Sequence, residues 1–395
     1  MKNIISKKVQ DMQPSGIRAF FDLVLGMKDV ISLGVGEPDF VTPWQIREAG
    51  IYSLEQGFTS YTSNKGLYKL RLSIHNYLQH RHGIEYSPDE EMLITVGVSE
   101  AFDLVLRALL EPGDKVLIPI PSYVSYGPLT ELAGGTPVYI DTKTQGFKLT
   151  PEMLEKNIDK KCKALVLNYP CNPTGVSYRK DELRQINRII QKHNLVCISD
   201  EVYEDLTYDF EHTAFPTLPD AKERTIYLNG FSKAYAMTGW RVGYACGPKD
   251  IIAAMTKIHQ YTIMCVSITS QMAACEALVS AKKSVLEMKR EYARRRELMV
   301  DGLQALGFIC PKPEGTFYVF PSLKRLGVDA LSFAQQLLKE EKVAVVPGTA
   351  FGEPYTDHVR MSYASSYDNL KEALQRIGAF LQRRTQWQRK QKQKS

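Results

Sequence analysis

The chain has 395 residues, of which 44% are hydrophobic and 24% charged, and this composition excludes a disordered or fibrous protein while allowing two or three domains. The formal net charge of +6 is carried by residues 383–395, which hold six Lys or Arg and no acid, so the rest of the chain is neutral and gives no reason to expect nucleic-acid binding. No apolar run of about 18 residues lacks polar groups, and we therefore expect neither a transmembrane helix nor an export signal.

The first 40 residues contain a helix-like segment at 15–25 and a loop at 34–40, and they precede any sheet pattern. Short apolar runs then recur, and they predict buried strands at 92–96, 115–120, 163–168, 195–199, 225–229 and 241–246. Amphipathic stretches such as 181–193 separate many of them. This alternation favours βαβ crossovers, so the predicted fold class is α/β with a mostly parallel, doubly wound sheet. Ligands of such sheets bind beyond the carboxyl ends of the strands.

Beyond the last predicted strand, long helical segments cover 248–306, and short strands with two helices cover 308–382. We therefore predict a smaller α+β domain beside the sheet. The expected division is an N-terminal segment of the small domain at 1–40, a large domain that contains the sheet at 41–300, the C-terminal small domain at 301–382 and a disordered basic tail at 383–395. The tail is most simply a solvated, frayed extension of the last helix, with an electrostatic tether to RNA or a membrane as the alternative.

The cysteine and histidine patterns predict neither disulfides nor a metal site. The seven cysteines form no C-x-x-C pair and are odd in number, whereas disulfide frameworks and zinc knuckles need close, paired cysteines. Their neighbours are apolar, which is typical of reduced thiols in a cytoplasmic protein. The seven histidines show no HExxH or comparable spacing.

Four polar clusters follow predicted strands or lie in the late domain. They are Asn172-Pro173-Thr174-Gly175, Asp200-Glu201-Val202-Tyr203, the segment from Ser232-Lys233 to Arg241, and Arg360 in an apolar strand pattern. Taken singly, the first is a turn, the Asp a cap and the Lys a solvated charge, while a buried Arg needs a partner. In order, however, Asn-Pro-x-Gly is followed 28 residues on by Asp-x-x-Tyr, then by Ser-Lys with an Arg eight residues after the Lys, and then by a late Arg.

This order and spacing resemble the class I/II aminotransferases of the aspartate aminotransferase superfamily, which are fold type I enzymes dependent on pyridoxal 5'-phosphate. The resemblance covers about 15–382. It implies an aminotransferase that moves an amino group between an amino acid and a 2-oxo acid by a ping-pong mechanism. It also implies a homodimer, and we expect no nucleic-acid or membrane partner.

The resemblance gives the clusters catalytic roles. It implies that Lys233 holds the cofactor as a Schiff base and later moves the substrate's α-proton, and that Asp200 pairs with the ring nitrogen. Asn172 and Tyr203 would hydrogen-bond the phenolic oxygen of the cofactor. The expected catalytic residues are therefore Lys233, Asp200 and Tyr203. The ring of Tyr123 would stack on the cofactor, unless it is an ordinary core aromatic.

The resemblance also implies a binding site for the cofactor phosphate. The residues implied are Gly97, Val98, Ser99 and Ser232. The first three lie between a predicted strand and a helix, where backbone N–H groups bind anions. Arg241 would add a bidentate contact. Tyr61 would reach the phosphate from the neighbouring subunit, unless it is an ordinary loop tyrosine.

For the substrate, the resemblance implies that Arg360 binds the α-carboxylate, with the Gly36 loop closing beside it and Asn172 and Ile17 also in contact. The stretch 258–281, one place where dicarboxylate-specific relatives carry a further basic residue, has no Lys or Arg. We therefore predict neutral donors, aromatic or aliphatic, unless Arg18 supplies the missing charge.

Two more departures from the family pattern concern the phosphate. Gly230 stands three residues before Lys233, where a Ser hydroxyl often binds the phosphate, and Val98 stands where many relatives have a second Gly.

Two other functions stay open. A related enzyme could keep the cofactor and catalyse β-elimination, decarboxylation or ring closure, because the bond that lies perpendicular to the ring decides the reaction. A regulator that reuses the fold could bind nucleic acid through the tail, although such a protein normally carries an added DNA-binding domain, which we do not find in the sequence.

Overall fold

The computed structural model describes residues 4–14 and 27–392, with side chains up to residue 384. Its strands are β1 Ile31–Ser32, β2 Met92–Thr95, β3 Lys115–Ile120, β4 Thr136–Asp141, β5 Cys162–Asn168, β6 Val196–Asp200, β7 Thr225–Gly230, β8 Gly243–Cys246, β9 Tyr318–Val319, β10 Val343–Ala344, β11 Val346–Pro347 and β12 Val359–Ser362. Seven of them form the central sheet in the order β2-β8-β7-β6-β5-β3-β4. Strand β8 is antiparallel to both neighbours and the other pairings are parallel, which confirms the predicted fold class.

Helices cover both faces of this sheet, because successive residues of a strand point to opposite sides. In β5, Leu165 packs with the helix Lys180–Lys192, whereas the next residue, Val166, packs with the helix Gly97–Leu109. The helices of this part of the chain are Trp44–Glu55, Tyr68–His82, Gly97–Leu109, Tyr126–Leu132, Pro151–Asn157, Lys180–Lys192, Lys249–Thr262 and Ile268–Ser280. Strand β4 was not predicted, because it lies at the sheet edge with most residues partly exposed and so lacks a continuous apolar pattern.

A second, smaller unit contains the sheet β11-β12-β9 and the parallel pair β1-β10. Its helices are Lys282–Ala305, which leads into it, Ala330–Glu341 and Tyr367–Lys392. Since Ile31 pairs with Val343, the N-terminal segment joins the C-terminal one in this unit. The last helix extends into the basic segment that begins at residue 383. The exact domain limits stay a prediction.

The remaining helical pieces are short. They are the helix Lys7–Asp11 and the 3-10 turns Lys143–Gln145, Glu204–Leu206, Phe215–Thr217, Lys222–Arg224, Lys324–Leu326 and Gly348–Phe351. All seven cysteines are free thiols. Within the residues that the structure describes, no helix is both long enough and apolar enough to cross a lipid bilayer.

Candidate active site

A cavity of about 1030 Å³ lies where the parallel strands of the central sheet end, facing the smaller unit. Most of the residues predicted for the site line it. These are Gly36, Val98, Ser99, Tyr123, Asn172, Asp200, Tyr203, Ser232, Lys233, Arg241 and Arg360. Segments more than 300 residues apart in the chain, from Gly36 to Arg360, therefore meet in one place. Also lining the cavity, and missed by the sequence analysis, are Glu37, Phe102, Tyr126 and Tyr318.

Lys233 lies three residues beyond β7, and its Nζ donates a hydrogen bond to the Gly36 carbonyl oxygen at 2.7 Å. Burial lowers the pKa of this amine to about 8, and the nearby positive charges of Arg360 and Arg241 act in the same direction. A lysine with such a pKa is partly neutral near pH 7.5 to 8. It can therefore act as a nucleophile or as a base.

Asp200 ends β6 and is 5% exposed. Burial raises its pKa to about 6. The Tyr126 hydroxyl donates to Asp200 Oδ2 at 2.6 Å and opposes this shift by stabilising the carboxylate. Tyr126 was missed because only the first tyrosine of the Pro-Ser-Tyr-Val-Ser-Tyr stretch was assigned a role. The second tyrosine of this stretch, at the start of the helix Tyr126–Leu132, could have been proposed as a further site residue.

Arg360 lies on β12 and is 2% exposed. Its guanidinium donates to Asn172 Oδ1 at 3.0 Å and to the Gly34 carbonyl oxygen at 2.6 Å, while its Nε has no partner. Burial lowers the pKa of Arg360, and no carboxylate forms an ion pair with it among the residues that the structure describes. A buried cation without a charged partner is costly, and an anionic ligand would remove that cost.

Two tyrosines lie beside this arginine. The hydroxyls of Tyr203 and Tyr318 are 2.9 Å apart, and the Arg360 guanidinium lies 4.5 Å from the centre of the Tyr318 ring. Burial raises the pKa of Tyr203 well above its ordinary value, so its hydroxyl keeps its proton and can donate it in a hydrogen bond. Tyr318 came from a two-residue strand without a recognisable motif, which is why the sequence did not point to it.

Glycine is required at two positions, Gly36 in the cavity wall and Gly97 just behind it, next to the lining residue Arg241. At Gly97, where φ is +72°, an added Cβ would lie 2.7 Å from an Arg241 guanidinium nitrogen. At Gly36, an added Cβ would lie 2.7 Å from the Tyr318 hydroxyl oxygen. At both positions a neighbouring side chain lies so close to the backbone that there is no room for a Cβ. Gly97 also begins the helix Gly97–Leu109, whose N-terminal N–H groups can bind an anion.

One predicted residue lies apart from the others in this chain, and another is not among the described residues. Tyr61 is 81% exposed and does not line the cavity. Ile17 lies outside the described residues, as does the alternative cation Arg18.

The comparison with known proteins agrees with this arrangement. A family model described as aminotransferase class I and II matches residues 28–377, which is most of the chain. The chain belongs to the class I and II aminotransferases. This confirms the resemblance inferred from the sequence, and it makes the protein an enzyme of the aminotransferase class.

Relatives of this aminotransferase carry more than one donor name. The Bacillus subtilis protein YugH, named only as an aminotransferase, is 50% identical over 98% of this chain and 100% of its own length. An aspartate aminotransferase of Pyrococcus abyssi is 44% identical, over 95% of this chain and 98% of its own. The crystal structure of an aromatic aminotransferase from Pyrococcus horikoshii OT3 has a TM-score of 0.89 at 42% identity, covering 93% of this chain and 99% of that one. These similarities show the class of reaction, amino transfer, and they do not identify the amino donor.

Proposed function

We propose that this aminotransferase uses pyridoxal phosphate to move an amino group between a neutral amino acid and a 2-oxo acid, in two half-reactions of a ping-pong cycle. One observation carries the proposal. A lysine with a lowered pKa, Lys233, shares a cavity with the buried carboxyl of Asp200 and with the buried Arg360, which has no carboxylate partner among the described residues. These are the amine, the carboxyl and the cation that the cofactor and an amino acid require.

The residues present fit pyridoxal phosphate. The amine of Lys233 can bind its aldehyde, the Asp200 carboxyl can pair with its ring nitrogen, and the start of the helix at Gly97 with Arg241 can hold its phosphate. When bound, pyridoxal phosphate supplies an electron sink for the electrons of a bond broken at the substrate's α-carbon. Ser232, Val98 and Ser99 would line the phosphate end.

The side chains around the ring have separable tasks. Asp200 would hold a proton on the ring nitrogen, and Tyr126 holds Asp200 in place for that purpose. Tyr203 would donate its hydroxyl proton toward the phenolic oxygen, together with the amide of Asn172. Tyr123 would cover one face of the ring.

The substrate's α-carboxylate would bind Arg360. Asn172 and the Gly34 carbonyl already hold the guanidinium in a fixed orientation, so little conformational freedom is lost when the carboxylate binds. Lys233, released from the cofactor by the incoming amine, would then move the α-proton. In this structure its Nζ contacts the Gly36 loop, which places the loop directly beside the reacting atoms.

A neutral donor is favoured by the charges of the cavity. The basic side chains among the described lining residues are Lys233, Arg241 and Arg360, and each already has a proposed task. A second carboxylate on the substrate would have no free cation in this part of the chain, and it would meet the acidic side chain of Glu37.

We further propose a homodimer in which Tyr61 serves the neighbouring subunit's site. Tyr61 is exposed, and the stretch 44–68 around it in the chain carries several other exposed large hydrophobic side chains, which are a common feature of subunit interfaces. They are Trp44, Ile51, Tyr52, Leu54, Phe58 and Tyr68. A cytoplasmic location is proposed on the basis of the seven free thiols.

The experiment is a panel of single turnovers. The purified enzyme, loaded with pyridoxal phosphate, is mixed with alanine, leucine, phenylalanine, aspartate and lysine, and the loss of the cofactor's protein-bound absorbance is followed. Faster conversion with leucine or phenylalanine than with aspartate supports the proposal. Conversion with aspartate that is much faster than with leucine and with phenylalanine would overturn the neutral specificity. Conversion without release of a 2-oxo acid would overturn amino transfer.

A further inference from the structure

A chain of buried hydrogen bonds runs behind the cavity, from the helix Tyr68–His82 to the end of β7. His82 Nε2 lies 3.1 Å from Glu204 Oε2, and the Tyr227 hydroxyl donates to the same oxygen at 2.7 Å. Asn229 Nδ2 donates to the Tyr227 hydroxyl at 2.7 Å. The Asn229 side-chain oxygen in turn accepts from the Gly230 N–H at 2.7 Å.

Two members of this chain adjoin residues of the proposed site. Glu204 directly follows Tyr203, and Gly230 lies three residues before Lys233. The backbone ladder between β6 and β7 stops earlier, with the pair Asp200 and Leu228 and one further bond from the Glu201 N–H to the Leu228 carbonyl oxygen at 2.9 Å. Beyond that point, the side chains of the hydrogen-bond chain link the two segments.

The chain is a stiff connection because it is buried and fully bonded at its centre. Glu204 is 2% exposed, Tyr227 is 0% exposed and Asn229 is 5% exposed. The second Glu204 oxygen accepts from the Tyr77 hydroxyl at 2.7 Å. Burial alone would raise the pKa of the Glu204 carboxyl, but the neighbouring His82, His212 and the Tyr77 hydroxyl together lower that pKa, so a carboxylate is maintained there.

None of these side chains lines the cavity. They therefore act on the reaction through the segments that they join. Polar networks of this kind, when every member is satisfied, hold a unique geometry, and losing one member leaves a buried group without its partner.

We propose that Glu204, through Tyr227 and Asn229, is a positioning residue that holds the Tyr203 segment and the Lys233 segment in register. The proposal rests on the proposed function, in which Tyr203 and Lys233 act on the same cofactor. A shift of one segment relative to the other changes the distance between the phenolic hydroxyl of Tyr203 and the lysine amine. When Lys233 is bonded to the cofactor, the pKa of its nitrogen would depend on that distance.

The test compares Tyr227→Phe with Tyr178→Phe. Tyr178 is a buried tyrosine whose hydroxyl accepts a hydrogen bond from the Leu149 N–H at 2.8 Å, away from the cavity lining, so both variants lose one buried hydroxyl. Each protein is loaded with pyridoxal phosphate, and its bound-cofactor absorbance is titrated with pH. We expect the apparent pKa to shift by about half a unit or more in Tyr227→Phe and to stay unchanged in Tyr178→Phe.

Steady-state kinetics give a second reading. In Tyr227→Phe we expect kcat to fall about tenfold, while KM changes less than about twofold, because the substrate's carboxylate contacts are untouched. Asn229→Ala interrupts the same chain, so the double variant should lose no more than either single variant. Glu204→Gln, which keeps an acceptor for Tyr227, should retain more activity than Glu204→Ala. If Tyr227→Phe does not fold, the absorbance titration and the kinetics are measured on Glu204→Gln instead.

An unchanged absorbance titration and kcat in Tyr227→Phe, or effects equal to those of Tyr178→Phe, would overturn the positioning role. Additive losses in the double variant would overturn it as well. Failure of the proposed function is distinguishable, because a wild-type enzyme that transfers no amino group from any donor still gives the absorbance titration. If the protein binds no pyridoxal phosphate, amide hydrogen exchange of the peptide 228–236 tests the positioning role. We expect this exchange to be faster in Tyr227→Phe than in wild type, and unchanged in Tyr178→Phe.

Discussion

The side chain of Val98 lies against the position that a side chain at residue 230 would take, where the chain has Gly230. A Cβ built on Gly230 would lie 3.2 Å from Val98 Cγ2, and also 3.0 Å from the Gly243 Cα and 3.1 Å from the Val242 carbonyl oxygen. These two residues are the positions at which the sequence departs from the family pattern near the phosphate. We interpret the two departures as coupled, because the valine side chain, together with the backbone of Val242 and Gly243, takes room that a residue larger than glycine would need.

We predict that Gly230→Ser destabilises the protein by about 1–3 kcal/mol, the usual cost of overpacking a buried site. Adding Val98→Ala should restore part of that loss, since it removes one of the three close contacts. The free energies of unfolding of both single variants and the double variant, measured without cofactor at one protein concentration, give the coupling. Gly239→Ser is the matched control, because a Cβ there meets nothing within 4 Å. Strict additivity would contradict the coupled-change interpretation.

The pKa of Asp200 predicts a pH-dependent stability of the cofactor-free protein. Its folded value of about 6 lies above the ordinary value of 3.8, so the unfolded chain releases this proton first as the pH rises. Asp200 therefore contributes a loss of stability of up to about 3 kcal/mol between roughly pH 4 and pH 6.5. Asp200→Asn should lack that loss.

Urea unfolding of wild type and Asp200→Asn across this pH range isolates the effect as the difference between the two curves. Parallel curves would mean that Asp200 has no raised pKa in the folded protein. In the loaded enzyme the same variant should lose about three orders of magnitude in kcat, because an amide cannot hold a proton on the ring nitrogen.

Truncation of Arg360 should affect all substrates alike. We expect Arg360→Ala to raise KM by about 10²-fold or more for every amino acid and 2-oxo acid tested, because all share the α-carboxylate. Arg360→Lys should recover only part of the loss, since an ammonium group cannot form the paired hydrogen bonds. Loading with pyridoxal phosphate, measured by absorbance, serves as the control. An effect confined to one substrate class would refute the carboxylate-binding role.

A mixed dimer tests the role of Tyr61. We predict that Lys233→Ala and Tyr61→Ala subunits, each weakly active alone, regain activity when they exchange, because one site of the mixed dimer then contains its own Lys233 and its neighbour's Tyr61. The expected gain approaches half of a native dimer's turnover per mixed dimer. Subunit exchange is confirmed with differently tagged chains. If exchange occurs without a gain over the two parents, Tyr61 serves its own chain or no site.

Much of the candidate site could be predicted from the sequence because its residues stand in local motifs. Asn172, Asp200 and Lys233 each directly follow, or lie within a few residues of, an apolar strand of a parallel sheet, and such strand ends converge at one edge. The same reasoning missed Tyr126 and Tyr318. Their roles come from contacts with Asp200 and Tyr203 across long stretches of chain, which the sequence does not show.

The sequence by itself determined the α/β class, the family and the candidate residues of the site, since periodicity and ordered motifs can be read along the chain. Only the tertiary structure decided which groups share a low-dielectric space. The raised pKa of Asp200 and the lowered pKa of Lys233 follow from burial, and among the described residues no carboxylate lies close enough to Arg360 to pair with it. Burial depends on how distant segments pack, and local sequence does not encode it directly.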